Sequence, residues 1–215
     1  AVTGRPVAKP VARPKVFDVA YHPTRNVLAS VARGSGTIAF HASDGSSLPP
    51  LETTFDDIWQ IAFSQTGKLA VCGHTDSVPR LEIWNVDNRD LVCAYRDSEL
   101  GKGGNLCLAF SPDGGRIALA AGWENILKHK SQPCDIKIID SSTGNPLRSL
   151  QGHTGGVNCV TFNSAGTMLA SSSGDKCIKL WDAHSGAPLR TLTGHGETVR
   201  VVAFSPDGSR LASCS

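Results

Sequence analysis

His153, Ser171 and Asp175 stand in one stretch, and a histidine, a serine and an aspartate together are the parts of an acyl-transfer site. There the serine is an exposed nucleophile, the histidine takes its proton, and the carboxylate orients the imidazole beside an oxyanion hole. Ser171 fits this poorly, because it lies inside the apolar run TMLASSS with no G-x-S-x-G turn to lift it out. Metal binding is no better served. His22, His41, His74, His129 and His184 share no ligand spacing with each other or with the seven cysteines, none of which forms a C-x-x-C pair. His129 and Cys134 share one insertion, but two ligands make no site, and these five histidines read as surface-loop residues. SPDG at 111–114 and 205–208 and the glycine-rich 101–105 do not combine a preceding strand with a following helix, so they read as turns rather than phosphate cradles. No catalytic, metal or cofactor site is expected.

The elements that position these residues form a repeat. An apolar run closes at an aromatic residue five times, at Tyr21, Phe63, Phe110, Phe162 and Phe204, with spacings of 42, 47, 52 and 42. Between 152 and 195 the order is VNCVTF, a turn, TMLASSS, a tight turn, CIKLW, and then LRTL. Alternation such as Val157, Val160 and Phe162 and turns such as SPDG and SAGT favour short antiparallel strands, and no segment shows a 3.6-residue period. The chain is predicted to be all-β. Gly152-His153 opens this unit and Trp181-Asp182 nears its end, so the chain resembles the WD-repeat family. The resemblance implies a β-propeller of four-stranded antiparallel blades, here an incomplete ring of about four and a half blades from a longer protein of seven or more. The units fall at about 16–55, 56–104, 105–156, 157–198 and 199–215, after an extended Pro/basic tail at 1–15. The family also implies a structural tetrad in the fourth unit, from Trp181 to Ser171 to His153 to Asp175, and a partial one from His195 and Ser213.

Composition narrows the function classes. The formal charge is +2, but Arg5, Lys9, Arg13 and Lys15 lie in the tail, leaving 17 basic against 19 acidic residues. That gives the body no electrostatic footprint for nucleic acid, and leaves only weak binding through residues 1–15. No run of 18 apolar residues and no signal-peptide core occur, so neither a membrane span nor secretion is expected. The odd cysteine count favours a reducing compartment, cytoplasmic with the nucleus as the alternative. Cys107 and Cys159 share one repeat position and read as small buried hydrophobes.

Function is sought where the units disagree. The first unit carries Phe40 at the tryptophan position and Thr54 in place of the histidine. The second keeps Trp84 beside Asn85, with extra residues in 74–80 and 96–105; the third has Ile139-Asp140 and an insertion at 122–135. In the family these connections share one face, and partners are met by the third and fifth residues after the Gly-His histidine. The third-position set is Lys15, Asp57, Gly104, Gly156 and Thr198; the fifth-position set is Phe17, Trp59, Leu106, Asn158 and Arg200. With Arg80, Trp123, Lys128 and His129 of the enlarged connections, Phe17, Asp57, Trp59, Asn158, Thr198 and Arg200 are the candidate protein contacts. The bland alternative is that Phe17, Trp59 and Leu106 pack between blades. The expected role is a non-catalytic scaffold or adaptor in a larger assembly. The alternatives are an RNA- or chromatin-associated assembly factor, or a substrate-recognition subunit of a cullin-type ubiquitin ligase. Many such ligase receptors carry an arginine two residues after the Asp of Trp-Asp, where this chain has His184, Asp87 and Ser142.

Overall fold

Runs of about six residues, apolar on alternate positions and cut by glycine-bearing turns, favour hairpin pairing with their immediate neighbours. The computed structural model describes residues 15–96, 105–122 and 135–215, and there every sheet is an antiparallel meander of consecutive strands. The first holds β1 (Val16–Tyr21), β2 (Val27–Ala32), β3 (Thr37–Ala42) and β4 (Ser47–Glu52). The second holds β5 (Asp57–Phe63), β6 (Lys68–Thr75), β7 (Val78–Asn85) and β8 (Asp90–Arg96). The third holds β9 (Asn105–Phe110), β10 (Arg116–Gly122), β11 (Ile136–Asp140) and β12 (Pro146–Leu150). The fourth holds β13 (Val157–Phe162), β14 (Met168–Ser173), β15 (Ile178–Asp182) and β16 (Pro188–Leu192), and β17 (Val201–Phe204) pairs with β18 (Leu211–Cys214). Among the described residues no helix is long and apolar enough to cross a membrane. The candidate residues Trp123, Lys128 and His129, the connection 97–104 and the tail 1–14 lie outside the described residues.

The sheets stand side by side like blades, each first strand against the next. Apolar clusters fill the spaces between them: Ile38, Ile58 and Leu69 between the first two sheets, Leu81, Leu108 and Ile117 between the next two, Ile138, Val160 and Trp181 after those. Each such side chain contributes about 1.5–3 kcal/mol by leaving water. The arc is open: Val19 and Tyr21 of β1 and Val201 of β17 are half-exposed or more.

One repeat position joins neighbouring sheets. The residue three before each closing aromatic reaches forward to the next first strand. The Asp18 carboxylate accepts the Ile61 N–H at 2.9 Å and Gln60 Oε1 accepts the Leu108 N–H at 2.7 Å. Cys107 and Cys159 turn the polarity round, their thiols donating to the carbonyls of Val157 at 3.7 Å and Val202 at 3.6 Å. Burial pushes the Cys159 thiol up, which keeps the proton it donates.

The extra residues of 74–80 do not make a free loop. They lengthen the hairpin, pairing His74 with Pro79 and Thr75 with Val78. A two-residue turn at Asp76-Ser77, with φ of 52° and 61°, closes it.

Candidate functional site

In the fourth sheet β14 and β15 place Ser171 and Trp181 on one face, and the turn after β14 brings Asp175 over His153. Gly155 permits this approach, since a Cβ there would sit 2.8 Å from the Asp175 nitrogen. Trp181 Nε1–H donates to Ser171 Oγ at 2.8 Å, and Ser171 Oγ lies 2.7 Å from His153 Nε2. His153 Nδ1 is 2.7 Å from Asp175 Oδ2, which also accepts the Thr154 N–H. Trp181, Ser171 and His153 are at most 2% exposed. Burial lowers the His153 pKa against the pull of Asp175, so the ring is neutral. Burial alone would raise Asp175, but the hydrogen bonds from His153, Thr154 and Cys177 hold it low, as a carboxylate. The protonation pattern follows: Nδ1–H donates to Asp175, Nε2 accepts the Ser171 proton, and Ser171 accepts from Trp181. Every partner is satisfied and the serine is sealed, so these residues work as a strut rather than a nucleophile.

Acid should loosen the strut. His22 and His74 are also lowered, mainly by burial. A histidine whose folded pKa is depressed contributes stability above its unfolded pKa of about 6.5 and loses it as pH falls below that value. Unfolding free energies from urea titration should therefore be level above neutrality and fall from pH 6.5 towards 5, by up to about 1.4 kcal/mol per pH unit for each histidine. His153→Gln should flatten the slope. A midpoint that rises on acidification would contradict this protonation scheme.

The other sheets solve the same problem with other atoms. His195 Nε2 meets Ser213 Oγ at 2.8 Å. In the first sheet Phe40 does not occupy the tryptophan place; His41 does. The turn after β3 closes from Ala42 to Gly45, whereas its counterpart runs from Asp182 to Gly186, so the shorter turn shifts the register by one residue. His41 pairs with Leu28 as Trp181 pairs with Leu169, and its Nε2 meets Ser30 Oγ at 3.1 Å. Neither His41 nor the buried His22 and His74 is a loop-surface residue; only the exposed His184 sits as expected among the described ones.

In the second sheet Val71 stands in the serine place and Glu82, fully buried on the facing strand, supplies the acceptor. Glu82 accepts from Trp84 Nε1–H at 3.0 Å and from the Thr54 hydroxyl at 2.8 Å, and pairs with Arg80 at 3.0 Å. Arg80 also donates to Thr54 at 2.6 Å. The structure thus places Arg80 inside a buried network, its side chain 12% exposed, rather than on the outer surface of 74–80.

At the end away from the turns that join first strands to second, the first strands of successive sheets begin, and β-bulges re-aim their side chains. The register slips at Phe17, Trp59 and Asn158. β9 runs without a slip, and Leu106 accordingly turns inward, 4% exposed. Phe17 and Trp59 meet edge to face at 5.5 Å, and the Arg33 guanidinium lies 5.8 Å and 5.5 Å from their centroids. Phe17 is 40% exposed. Trp59 Nε1–H donates to His74 Nδ1 at 2.8 Å, and Asp57 accepts the Gly34 N–H at 2.7 Å. Asn158 spans to the Val199 carbonyl at 2.9 Å, a joint between sheets. Arg200 is exposed and Thr198 partly buried at the next strand. Packing and exposure therefore coexist at Phe17 and Trp59. Arg33 follows the end of β2, where no repeat signature points to it. Among the described residues no cluster of three metal-ligating side chains forms.

Residues 144–182 and 186–215 match the WD domain, G-beta repeat family. The chain is 26% identical over 153 residues to the APC/C activator protein CDH1 of Saccharomyces cerevisiae, covering 68% of this chain and 24% of that protein. It is 36% identical over 72 residues to periodic tryptophan protein 2 of the same yeast, and 38% over 71 to the mouse intraflagellar transport protein 122 homolog. These cover 34% and 33% of this chain, and only 7% and 5% of those two proteins.

Proposed function

We propose that the chain, two segments of which match the WD domain, G-beta repeat family whose members generally mediate protein interactions, is a non-catalytic scaffold subunit presenting the bulged ends of its first strands to a protein partner. The observation that carries this reading is the exposed Phe17 edge stacked with Trp59 under the Arg33 guanidinium. Aromatic and arginine side chains held rigidly at one patch are the usual energetic centres of protein contacts. Asp57, Thr198 and Arg200 continue the same rim, and the Asp76-Ser77 tip stands beside it, its Asp76 N–H held by Asp56. Relatives named as an APC/C activator and an intraflagellar transport protein support a place within an assembly.

Phe17→Ala and Arg33→Ala test it, because neither removes a buried polar partner, whereas Trp59→Ala would orphan His74. Proteins captured by the parent chain from its source cells should be lost by about tenfold or more with either variant. Thermal midpoints should stay put. An unchanged set of captured proteins would overturn the proposal.

A further inference from the structure

One repeat position puts a long cation into two of the joints between neighbouring sheets and leaves the first joint without one. The residue that opens each second strand accepts the N–H of the residue following the closing aromatic: Val27 from His22, Lys68 from Ser64, Arg116 from Ser111, Met168 from Asn163. These four residues are therefore equivalent, and each faces the next sheet. Arg116 fills its joint, donating to the carbonyls of Ala183 at 2.6 Å and Gly166 at 3.0 Å with its guanidinium 5.7 Å from the Phe162 centroid. Lys68 fills the joint before it, with Nζ 3.5 Å from the Ser141 carbonyl and 3.1 Å from Ser142 Oγ. At the first joint the residue is Val27. The room a long cation occupies elsewhere is left as a cavity of about 210 Å³, floored by Val27, Phe40, Phe63 and Val86.

The walls of this cavity carry the donors that the missing side chain would have brought. His22 is 5% exposed; its Nδ1 accepts the N–H groups of Thr24 and Arg25, which leaves the proton of the neutral ring on Nε2. Arg25 bridges to Asp87 at 2.5 Å across the rim, both half-exposed. Arg89 holds the Pro49 and Pro50 carbonyls at 3.0 Å, with further N–H groups to spare. Two guanidinium groups and an imidazole N–H thus stand against one carboxylate that is already paired. The slot wants an acceptor with an apolar body. At about 210 Å³ it is below the usual 300–1,000 Å³ of a small-molecule cleft and suits one side chain.

We propose that this cavity docks an acidic peptide, an aliphatic side chain entering between the first two sheets while neighbouring carboxylates meet Arg25, Arg89 and the His22 Nε2–H. It lies at the end where first strands turn into second strands, away from Phe17 and Arg33, so it stands or falls separately from the contact surface proposed above.

The probe is a capped peptide with leucine followed by two aspartates among alanines, titrated into the whole chain at low salt and followed by the imidazole nitrogen signals of His22. Binding near or below about 1 mM is expected. Asparagines in place of the aspartates should weaken it about fivefold. Val27→Arg, which plugs the slot as Arg116 plugs its own, should weaken it about tenfold or more, and Phe17→Ala should leave it unchanged. The peptide series on the parent chain needs no variant to fold. The proposal is overturned if the parent chain shows no binding at that concentration, or if the asparagine peptide or Val27→Arg binds as tightly. Tighter binding by a peptide with arginine in place of leucine would also overturn it, assigning the slot to a cation.

Discussion

Trp181→Ala is expected to lower the thermal midpoint by roughly 6–20 °C. The side chain is 1% exposed, packs in the cluster with Leu169, Val160 and Ile138, and donates to Ser171. Truncating a buried tryptophan to alanine costs about 3–5 kcal/mol through lost transfer energy and the cavity left behind. In a chain of this length each kcal/mol moves the midpoint by about 2–4 °C. Trp181→Phe is expected to cost less, about 1–3 kcal/mol, because it keeps a buried aromatic ring while giving up the N–H and the rest of the bicyclic volume. Scanning calorimetry with urea titration checks both. A loss under about 1 kcal/mol for the alanine variant would mean that the fourth sheet tolerates an empty centre, against the packing described.

Arg80→Ala is expected to cost about 3 kcal/mol, more than its place near a hairpin tip suggests. The expense comes from Glu82, which is 0% exposed and would be left with only Trp84 and Thr54 as partners. A buried charge that loses its partner is penalised far more than the pair itself is worth. The double variant Arg80→Met with Glu82→Gln should therefore recover much of the loss, since the amide still accepts from Trp84 and can donate to Thr54. Urea unfolding of the two singles and the double gives the coupling, expected above about 1 kcal/mol. Additive losses would show that Arg80 and Glu82 do not share one network.

The blade repeat and its strand order were legible because they rest on period-two alternation and turn residues, both local. The fourth sheet's four partners were legible because all four residue types are present at their family offsets. The second sheet hid its network because the acceptor moved to the facing strand: Val71 replaces the serine, and Glu82 sits where Lys179 does in the fourth. Only cross-strand register reveals that, and register is tertiary. His41 was missed for a related reason, a turn one residue shorter that puts His41 rather than Phe40 at the tryptophan position. Arg33 carries no sequence mark at all, because its role depends on two rings from different sheets meeting beside it.

The forward-reaching joint of Asp18, Gln60, Cys107 and Cys159 sets a direction on assembly. Each hairpin pairs neighbours in the chain and closes in about 1–10 μs, whereas about 40 residues take seconds to emerge from a ribosome. A nascent sheet therefore waits, finished within itself, holding out an acceptor or a thiol with nothing to meet. Asp18 shows what the wait means: its carboxyl is driven up by the burial that the second sheet imposes, and the Ile61 N–H arrives with that same sheet. Each new sheet thus brings both the loss of water and the bond that answers it, and the array grows from its amino-terminal end like a row of latches, each engaged by the next.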